Sequence, residues 1–447
     1  MKDITSENKP ATVSERTTQA GEAHPGQWEW VERTVWTDRM LEALDKGVRG
    51  GVWFSLIDKV YRPRVLMAAW LQVRGKGRAA GSDHQSLEQF EEQLTTNLAK
   101  LETELCTGTY RPRPIRRSFI PKPGSKDKRP LGIPAVRDKV VQTALKMVIE
   151  PIFEREFIDT SHGFRPGRGC KDALRKVERL LKAGYTWVVD ADLKSYFETI
   201  GHGRLMLELQ QRIVDSRVLE LIESFLKQQI LEDLKQWTPE AGSPQGAVIS
   251  PLLSNIYLHE VDKAMKAAGY EMVRYADDFV ILCKSQPEAE AALARVTELV
   301  EQKGLTLHAD KTSLVNTQQP GHSFEFLGYH FEKGTRWPRK KSLNKFKDTI
   351  RRKTKRSNGR SMAAIIDDVN KTSEGWFEYF KHSHWRTFKP LDGWIRRRLR
   401  TILRGYTKGK GISRGKDNIR WPNQYFRDLG YFSLYDAHRA LLQSSGG

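Results

Sequence analysis

The run Val273-Arg274-Tyr275-Ala276-Asp277-Asp278-Phe279-Val280-Ile281-Leu282 sets the tightest limit on how this chain can fold. Both flanks are apolar and β-branched, which suits two strands. Asp is depleted in strands, yet two adjacent carboxylates sit between the flanks. A strand–turn–strand hairpin resolves the conflict by placing Asp277 and Asp278 at its tip. Adjacent carboxylates on a rigid tip repel each other unless a cation neutralises them. A hard cation such as Mg²⁺ takes oxygen ligands and often completes its shell with substrate phosphates. A solvated turn would account for an isolated Asp-Asp. A third carboxylate upstream, in a matching setting, weighs against that plainer reading.

The third carboxylate is Asp192. The stretch Trp187-Val188-Val189-Asp190-Ala191-Asp192-Leu193-Lys194-Ser195-Tyr196-Phe197 begins as a strand and brings Asp192 near its end. Asp190 shares a strand face with Asp192 if the strand stays regular; the Leu-Lys-Ser-Tyr-Phe that follows favours Asp192. Phe197 is either plain core or a ring lying under a sugar, where it would offer a 2′-hydroxyl no partner and little room. Residues 241–258 read as a broken turn, Ser243-Pro244-Gln245-Gly246, leading into a buried helix. A glycine there lets backbone approach a base pair or sugar closely.

Upstream, residues 120–134 read as a hairpin with a charged loop. Arg129 could grip a triphosphate in bidentate fashion and Lys122 could act as a point charge; a solvated hairpin tip is the alternative. Residues 161–170, Ser-His-Gly-Phe-Arg-Pro-Gly-Arg-Gly-Cys, form a rigid cationic loop suited to a nucleic-acid backbone through Arg165 and Arg168. Apolar residues spaced three and four apart from Leu87 to Leu105 predict one amphipathic helix, with Ser82-Asp83 as a helix cap.

The formal charge of +20 and a pI near 9.7 point to a polyanionic partner. Residues 338–447 hold 27 Lys and Arg against 9 Asp and Glu, a net of +18, so nearly all the excess lies there. Trp376, Trp385, Trp394 and Trp421 argue against a disordered tail. Two cation runs, Arg351-Arg352-Lys353-Thr354-Lys355-Arg356 and Arg396-Arg397-Arg398-Leu399-Arg400, alternate with these aromatics. Such faces suit A-form RNA, which is read by shape, although a charge run is often only a solvated face. Cys106, Cys170 and Cys283 are odd in number and widely spaced, giving neither a disulfide framework nor a zinc pattern. Residues 1–26 are polar and lack the apolar core of a secretory signal. No apolar run reaches membrane-spanning length.

Taken in order, these blocks resemble the reverse transcriptases, and specifically the bacterial group II intron reverse transcriptase/maturase family. The carriers are the Lys/Arg hairpin, His-Gly-Phe-Arg-Pro-Gly-Arg, Asp-Leu-Lys-Ser-Tyr-Phe, Ser-Pro-Gln-Gly with Ser-Pro-Leu-Leu-Ser-Asn-Ile-Tyr-Leu, Tyr-Ala-Asp-Asp, Gly-Leu-Thr-Leu with Lys-Thr, and Phe-Leu-Gly-Tyr, over about residues 110–331. Residues 375–380 and 391–400 look like the family's maturase domain, which doubles as the polymerase thumb. Gly77 to Asp83 looks like a departed form of an upstream block, with Ser82 where Val is usual.

The resemblance implies an α/β right-hand polymerase. Residues 1–50 would be a flexible arm and N-terminal extension. Residues 51–335 would be fingers and palm with a ferredoxin-like antiparallel palm sheet, and 336–447 an α-helical thumb/maturase domain. It implies Asp192, Asp277 and Asp278 as catalytic carboxylates holding two Mg²⁺. Lys122, Arg129, Phe197, Gln245 and Gly246 would bind the nucleotide. Phe326, Leu327, Gly328 and Tyr329 would form a primer grip. RNA would be held by Arg165, Arg168, Arg351, Arg352, Lys353, Lys355, Arg356, Arg396, Arg397, Arg398 and Arg400. The implied activity is RNA-directed DNA synthesis, with binding of intron RNA that assists splicing and mobility, in the bacterial cytoplasm and without a membrane. The partners would be intron RNA, an RNA template with DNA primer, a DNA target and dNTPs. The chain reaches Gly447 without a Cys pair or His-Asn-His cluster, so it is expected not to cut target DNA itself. The alternatives are a host-adopted relative in DNA repair or phage defence, and an RNA-binding splicing factor without polymerase activity.

Overall fold

The structure is a computed structural model that describes residues 28–75, 79–121, 128–233, 235–357 and 359–444. Lys122 and the arm expected over residues 1–26 lie outside the described residues. The chain divides into two compact units. The first is Met1–Ala173, Ala191–Ile281 and Glu290–Thr312; the second is Leu174–Asp190, Leu282–Ala289 and Ser313–Gly447.

Eleven strands are described: β1 Ile115–Pro121, β2 Lys128–Ile133, β3 Trp187–Asp192, β4 Ile230–Glu232, β5 Lys235–Trp237, β6 Glu271–Tyr275, β7 Asp278–Cys283, β8 Ser313–Asn316, β9 Phe324–Phe326, β10 Tyr329–Glu332 and β11 Thr335–Pro338. One sheet has the order β2-β1-β4-β5. In it β1 pairs antiparallel with β2, placing Ile120 opposite Arg129, and parallel with β4. A second sheet has the order β6-β7-β3-β8, with β3 antiparallel to β8. The helices Ser250–Ala267 and Gln286–Gln302 precede β6 and follow β7. The succession is the βαββαβ of ferredoxin-like sheets, and the first strand lies between the third and the last.

In the first unit the Val136–Glu154 helix is buried on nearly every side, with Val140, Val141, Ala144, Leu145, Val148 and Ile149 fully enclosed. A helix apolar all round belongs inside a core. The N-terminal extension reaches it through Trp36, which is fully buried and whose Nε1 donates to the Met147 carbonyl at 3.0 Å. The single helix expected from Leu87 is two, Leu87–Glu92 and Leu94–Thr107, broken at Gln93. Its cap is Ser86, not Ser82 or Asp83: Ser86 and Gln89 close a reciprocal capping box.

In the second unit, β9, β10 and β11 form a meander of order β11-β10-β9. Its two-residue turns, Leu327-Gly328 and Lys333-Gly334, have positive φ at both positions, as tight hairpin turns require. The helices Lys340–Lys353, Met362–Phe380, Phe388–Tyr406 and Leu434–Ser444 share a core built on Ile350, Ile365, Val369, Phe388, Ile395 and Leu399. Buried Asp392 organises the start of the last helix, accepting bonds from Tyr431 Oη, Ser433 Oγ and the Leu434 and Tyr435 amides. No helix among the described residues is long and apolar enough to cross a membrane.

Candidate active site

The hairpin around Asp277 forms as its sequence requires, with a shift of one residue. Ala276 and Asp277 make the turn, and Asp278 is already the first residue of β7. Ala276 adopts φ +61°, an uncommon conformation for a residue with a side chain, and is buried. Something must hold it there, and that group is Arg274. Its guanidinium donates to Asp262 at 2.8 and 2.5 Å, to Asn255 Oδ1 at 3.0 Å and to the Ala276 carbonyl at 2.9 Å. Asn255 passes the contact on, donating to the Gly163 carbonyl at 2.8 Å. Segment 160–163 lies against the same turn: His162 N donates to the Arg274 carbonyl and Arg274 N to the Thr160 carbonyl, both at 2.9 Å. A side chain at Gly163 would place its Cβ 2.4 Å from the Ala276 amide, so only glycine fits.

Asp192 reaches the site from the end of β3. Its carbonyl accepts from His308 N at 2.8 Å, and Lys194 N donates to Thr306. These bonds hold segment 306–312 alongside, and Lys311 forms an ion pair with the Asp192 carboxylate. The Asp277 carboxyl is raised above the usual carboxylate range. Burial is the main cause and the charge of Asp192 adds to it, while the Asp277 backbone amide, Arg129 and Lys311 pull the other way. Asp192, Asp277, Arg129 and Lys311 therefore share one electrostatic neighbourhood. Among the described residues, no three His, Cys, Asp or Glu side chains close into a ready-made ligand set. The donors nonetheless suit a hard divalent cation. Asp277 is a buried carboxyl within reach of the charge of Asp192, and Mg²⁺ commonly takes one or two carboxylates and draws its other ligands from phosphates and water.

Phe197 is half-buried and borders a cleft of about 190 Å³ with Gln245, Ser243, Pro244 and Trp237. Its neighbour Tyr196 is the core residue, its hydroxyl bonded to the Ser254 carbonyl at 2.7 Å. Gln245 accepts at its carbonyl from Gly132 N at 2.6 Å. Gly246 sits at φ +106°, where a Cβ would lie 2.5 Å from the Gly132 carbonyl. The close approach expected of Gly246 is thus made to strand β2.

A family model described as "Reverse transcriptase (RNA-dependent DNA polymerase)" matches residues 120–331. A second, "Group II intron, maturase-specific domain", matches residues 343–421. The group II intron-encoded protein LtrA of Lactococcus lactis subsp. cremoris is 39% identical over 232 residues, covering 51% of this chain and 38% of that protein. Protein YkfC of Escherichia coli is 36% identical over 302 residues, covering 59% of this chain and 78% of that protein. The chain belongs to the group II intron reverse transcriptase/maturase family. A yeast protein, the putative COX1/OXI3 intron 1 protein of Saccharomyces cerevisiae, aligns at 27% identity over 83% of this chain and 51% of its own length. A chain of a solved partial Cas6-RT-Cas1–Cas2 complex matches at TM-score 0.37 and 26% identity over 56% of this chain and 41% of that one, too loosely to bear on the fold.

Several of the cations expected to contact RNA have partners within the fold. Arg165 is buried: it pairs with Glu154 at 2.6 Å and donates to the carbonyls of Ile158, Ser161 and Phe157. Arg168 is half-buried. In the second unit, Arg400 is buried and donates to the Trp421 carbonyl and Asn423 Oδ1, both at 2.8 Å. Arg398 donates to Thr354 Oγ1 at 2.6 Å and to the carbonyls of Arg351 and Thr354, capping the Lys340–Lys353 helix. Lys353 is tied to Asp368, and Arg396 is half-buried against the Tyr431 ring. Arg351, Arg352, Lys355, Arg356 and Arg397 stay exposed, although Arg351 pairs with Asp348 and Arg356 bonds the Gly411 carbonyl. Of the expected primer grip, Phe326 and Tyr329 are buried core residues, with the Tyr329 ring against Tyr379 and Phe380. Only the turn, Leu327-Gly328, is partly exposed.

Sequence reasoning missed Arg274, Asp262, Asn255 and Lys311. One signal was present: Asn255 and Asp262 are seven residues apart on a helix, hence on one face, beneath a strand with a cation in an otherwise apolar run. The raised Asp277 carboxyl carries a consequence for stability. Its ionised form costs the folded state above the raised pKa, and the cost declines as pH falls from that raised value to the ordinary carboxylate range. At pH 7.5 without divalent cations, Asp277→Asn should therefore melt above the wild type, and the gap should shrink as pH is lowered. Thermal unfolding across pH checks this; an unchanged or lower Tm at pH 7.5 would contradict it.

Proposed function

We propose that this chain is an RNA-directed DNA polymerase of a group II intron, copying intron RNA into DNA and binding that RNA to assist splicing and mobility. The observation that carries the reading is the shared neighbourhood of Asp192 and Asp277, brought from separate strand ends and flanked by Arg129 and Lys311. Asp192, Asp277 and Asp278 would hold two Mg²⁺, which when bound activate the primer 3′-hydroxyl and steady the leaving pyrophosphate. In this reading residues 51–335 form the polymerase body and 336–447 the thumb.

The chain's own residues bind and orient. Arg129, with Lys122 seven residues before it in sequence, grips the triphosphate. The Phe197 ring lies under the sugar, and Gln245 and Gly246 bound the pocket. Phosphoryl transfer asks little covalent work of a protein, so placing charge and excluding misaligned substrate are its contribution. The substrates are dNTPs and an RNA template carrying a DNA primer. The further partners are intron RNA, through the exposed thumb cations, and a DNA target.

Primer extension on an RNA template with Mg²⁺ and dNTPs tests the polymerase. The wild type should extend and Asp277→Ala should not; no extension by either, with structured RNA still bound, would leave an RNA-binding protein only. A second measurement separates the thumb cations. Lys355→Ala and Arg397→Ala should keep the Tm and each lower the salt slope of RNA binding by about one. Arg400→Ala should instead lose about 2 kcal/mol of stability, because its buried bonds go unmade. Equal RNA-binding losses for all three at unchanged Tm would contradict the division.

A further inference from the structure

Three close backbone approaches join parts of the first unit that nucleotide binding would use separately. Strand β2, which carries Arg129, is an edge strand of its sheet. Its Gly132 amide donates to the Gln245 carbonyl at 2.6 Å. On the other side of the same short turn, Ser243 N donates to the Phe197 carbonyl at 2.7 Å, and Gly242 N to the Ile200 carbonyl at 2.8 Å. Glycine is needed at both ends. At Gly246, φ +106°, a Cβ would lie 2.5 Å from the Gly132 carbonyl and 2.8 Å from the Leu131 side chain. At Gly242, φ +95°, it would lie 2.9 Å from the Phe197 carbonyl. The turn is itself pinned from behind. Ser243 Oγ bonds Ser250 Oγ, Ser250 Oγ donates to the Pro244 carbonyl, and Val248 N donates to buried Gln142. Phe197 borders an open cleft on one side and packs edge-on against the Tyr196 ring on another, while its backbone carbonyl is bonded to the turn.

We propose that the 242–246 turn is a positioning device for nucleotide selection. It locks β2 to the loop carrying Phe197, so that the triphosphate grip and the sugar gate keep one spacing. Gly132, Gly242 and Gly246 are positioning residues: they touch each other's elements rather than the reacting atoms. A methyl group at Gly246 pushes β2 and Arg129 away; one at Gly242 pushes the Phe197 loop away. Both errors change the spacing between the sugar site and the triphosphate site, so that one nucleotide no longer meets both at once. This rests on the polymerase reading above.

The test uses the full chain with Gly246→Ala and Gly242→Ala. In single-nucleotide incorporation, KM for the dNTP should rise about tenfold while kcat changes little, which marks lost binding geometry rather than lost chemistry. Preference for dNTP over rNTP should fall by a comparable factor. A fall in kcat with KM and selectivity unchanged would overturn the proposal, because a turn that merely holds the fold would behave so. A second readout does not need activity. Hydrogen exchange should quicken in both 128–133 and 195–200 for either variant, with 271–283 unchanged. Quickening only beside the substituted glycine would refute the coupling. If the wild type incorporates no nucleotide, the polymerase reading fails and the exchange result still decides the coupling. Should Gly246→Ala not fold, Leu131→Ala loosens the same joint without touching backbone and should give the same shifts, smaller in size.

Discussion

A buried guanidinium is the constraint on which the rest of the first unit depends. Arg274 and Asp262 are almost wholly excluded from solvent. Taking two ions out of water costs several kcal/mol each, recovered only when geometry and further hydrogen bonds are both good. Arg274 meets that demand with Asp262 and Asn255 on the Ser250–Ala267 helix and with the Ala276 carbonyl in the turn. The price of the arrangement is that none of these parts can shift alone. The turn that presents Asp277 is therefore held in an otherwise unfavourable conformation by groups that never meet a substrate. The His-Gly-Phe-Arg-Pro-Gly-Arg loop belongs to the same support: Gly163 packs on the turn, and Arg165 pins the loop to the Val136–Glu154 helix through Glu154.

The second unit shows the same residue type doing two jobs. Its large positive charge resembles one continuous nucleic-acid face, but charge counts do not distinguish a cation that caps a helix from one that meets solvent. Arg398 and Arg400 are two residues apart in one cationic run, and both are committed to carbonyl oxygens inside the unit. Arg397, the residue just before Arg398, lies on the exposed side. Helical periodicity separates them, and the difference becomes readable only once the partner carbonyls are placed.

Much of the architecture was legible in the sequence because it follows from local pattern. The β-branched flanks of Asp277 give two strands with a turn between them, set one residue earlier than the Asp pair suggests, while the ferredoxin-like sheet was implied by the family resemblance. Asp192 was preferred to Asp190 because of the residues that follow it, and the structure brings its charge within reach of Asp277. What stayed hidden depends on distant partners. Arg274 looks like a surface cation until Asp262 is found beneath it, and Gly246 looks like a ligand-facing glycine until Gly132 is found against it. The break at Gln93 was hidden for another reason: apolar spacing continues through it, while the capping box at Ser86 sets the helix start.

The most direct test of this account is the RNA-templated extension rate of Arg274→Met/Asp262→Leu, corrected for its folded fraction. Replacing both charges with apolar groups of similar volume is often neutral or stabilising, whereas removing one partner costs about 3–5 kcal/mol. The double variant should therefore fold, yet extension should fall by about a hundredfold or more, because the Ala276 carbonyl loses the donor that fixes the turn. Extension near the wild-type rate would show that the Asp277 turn holds its shape without Arg274, and would contradict the account.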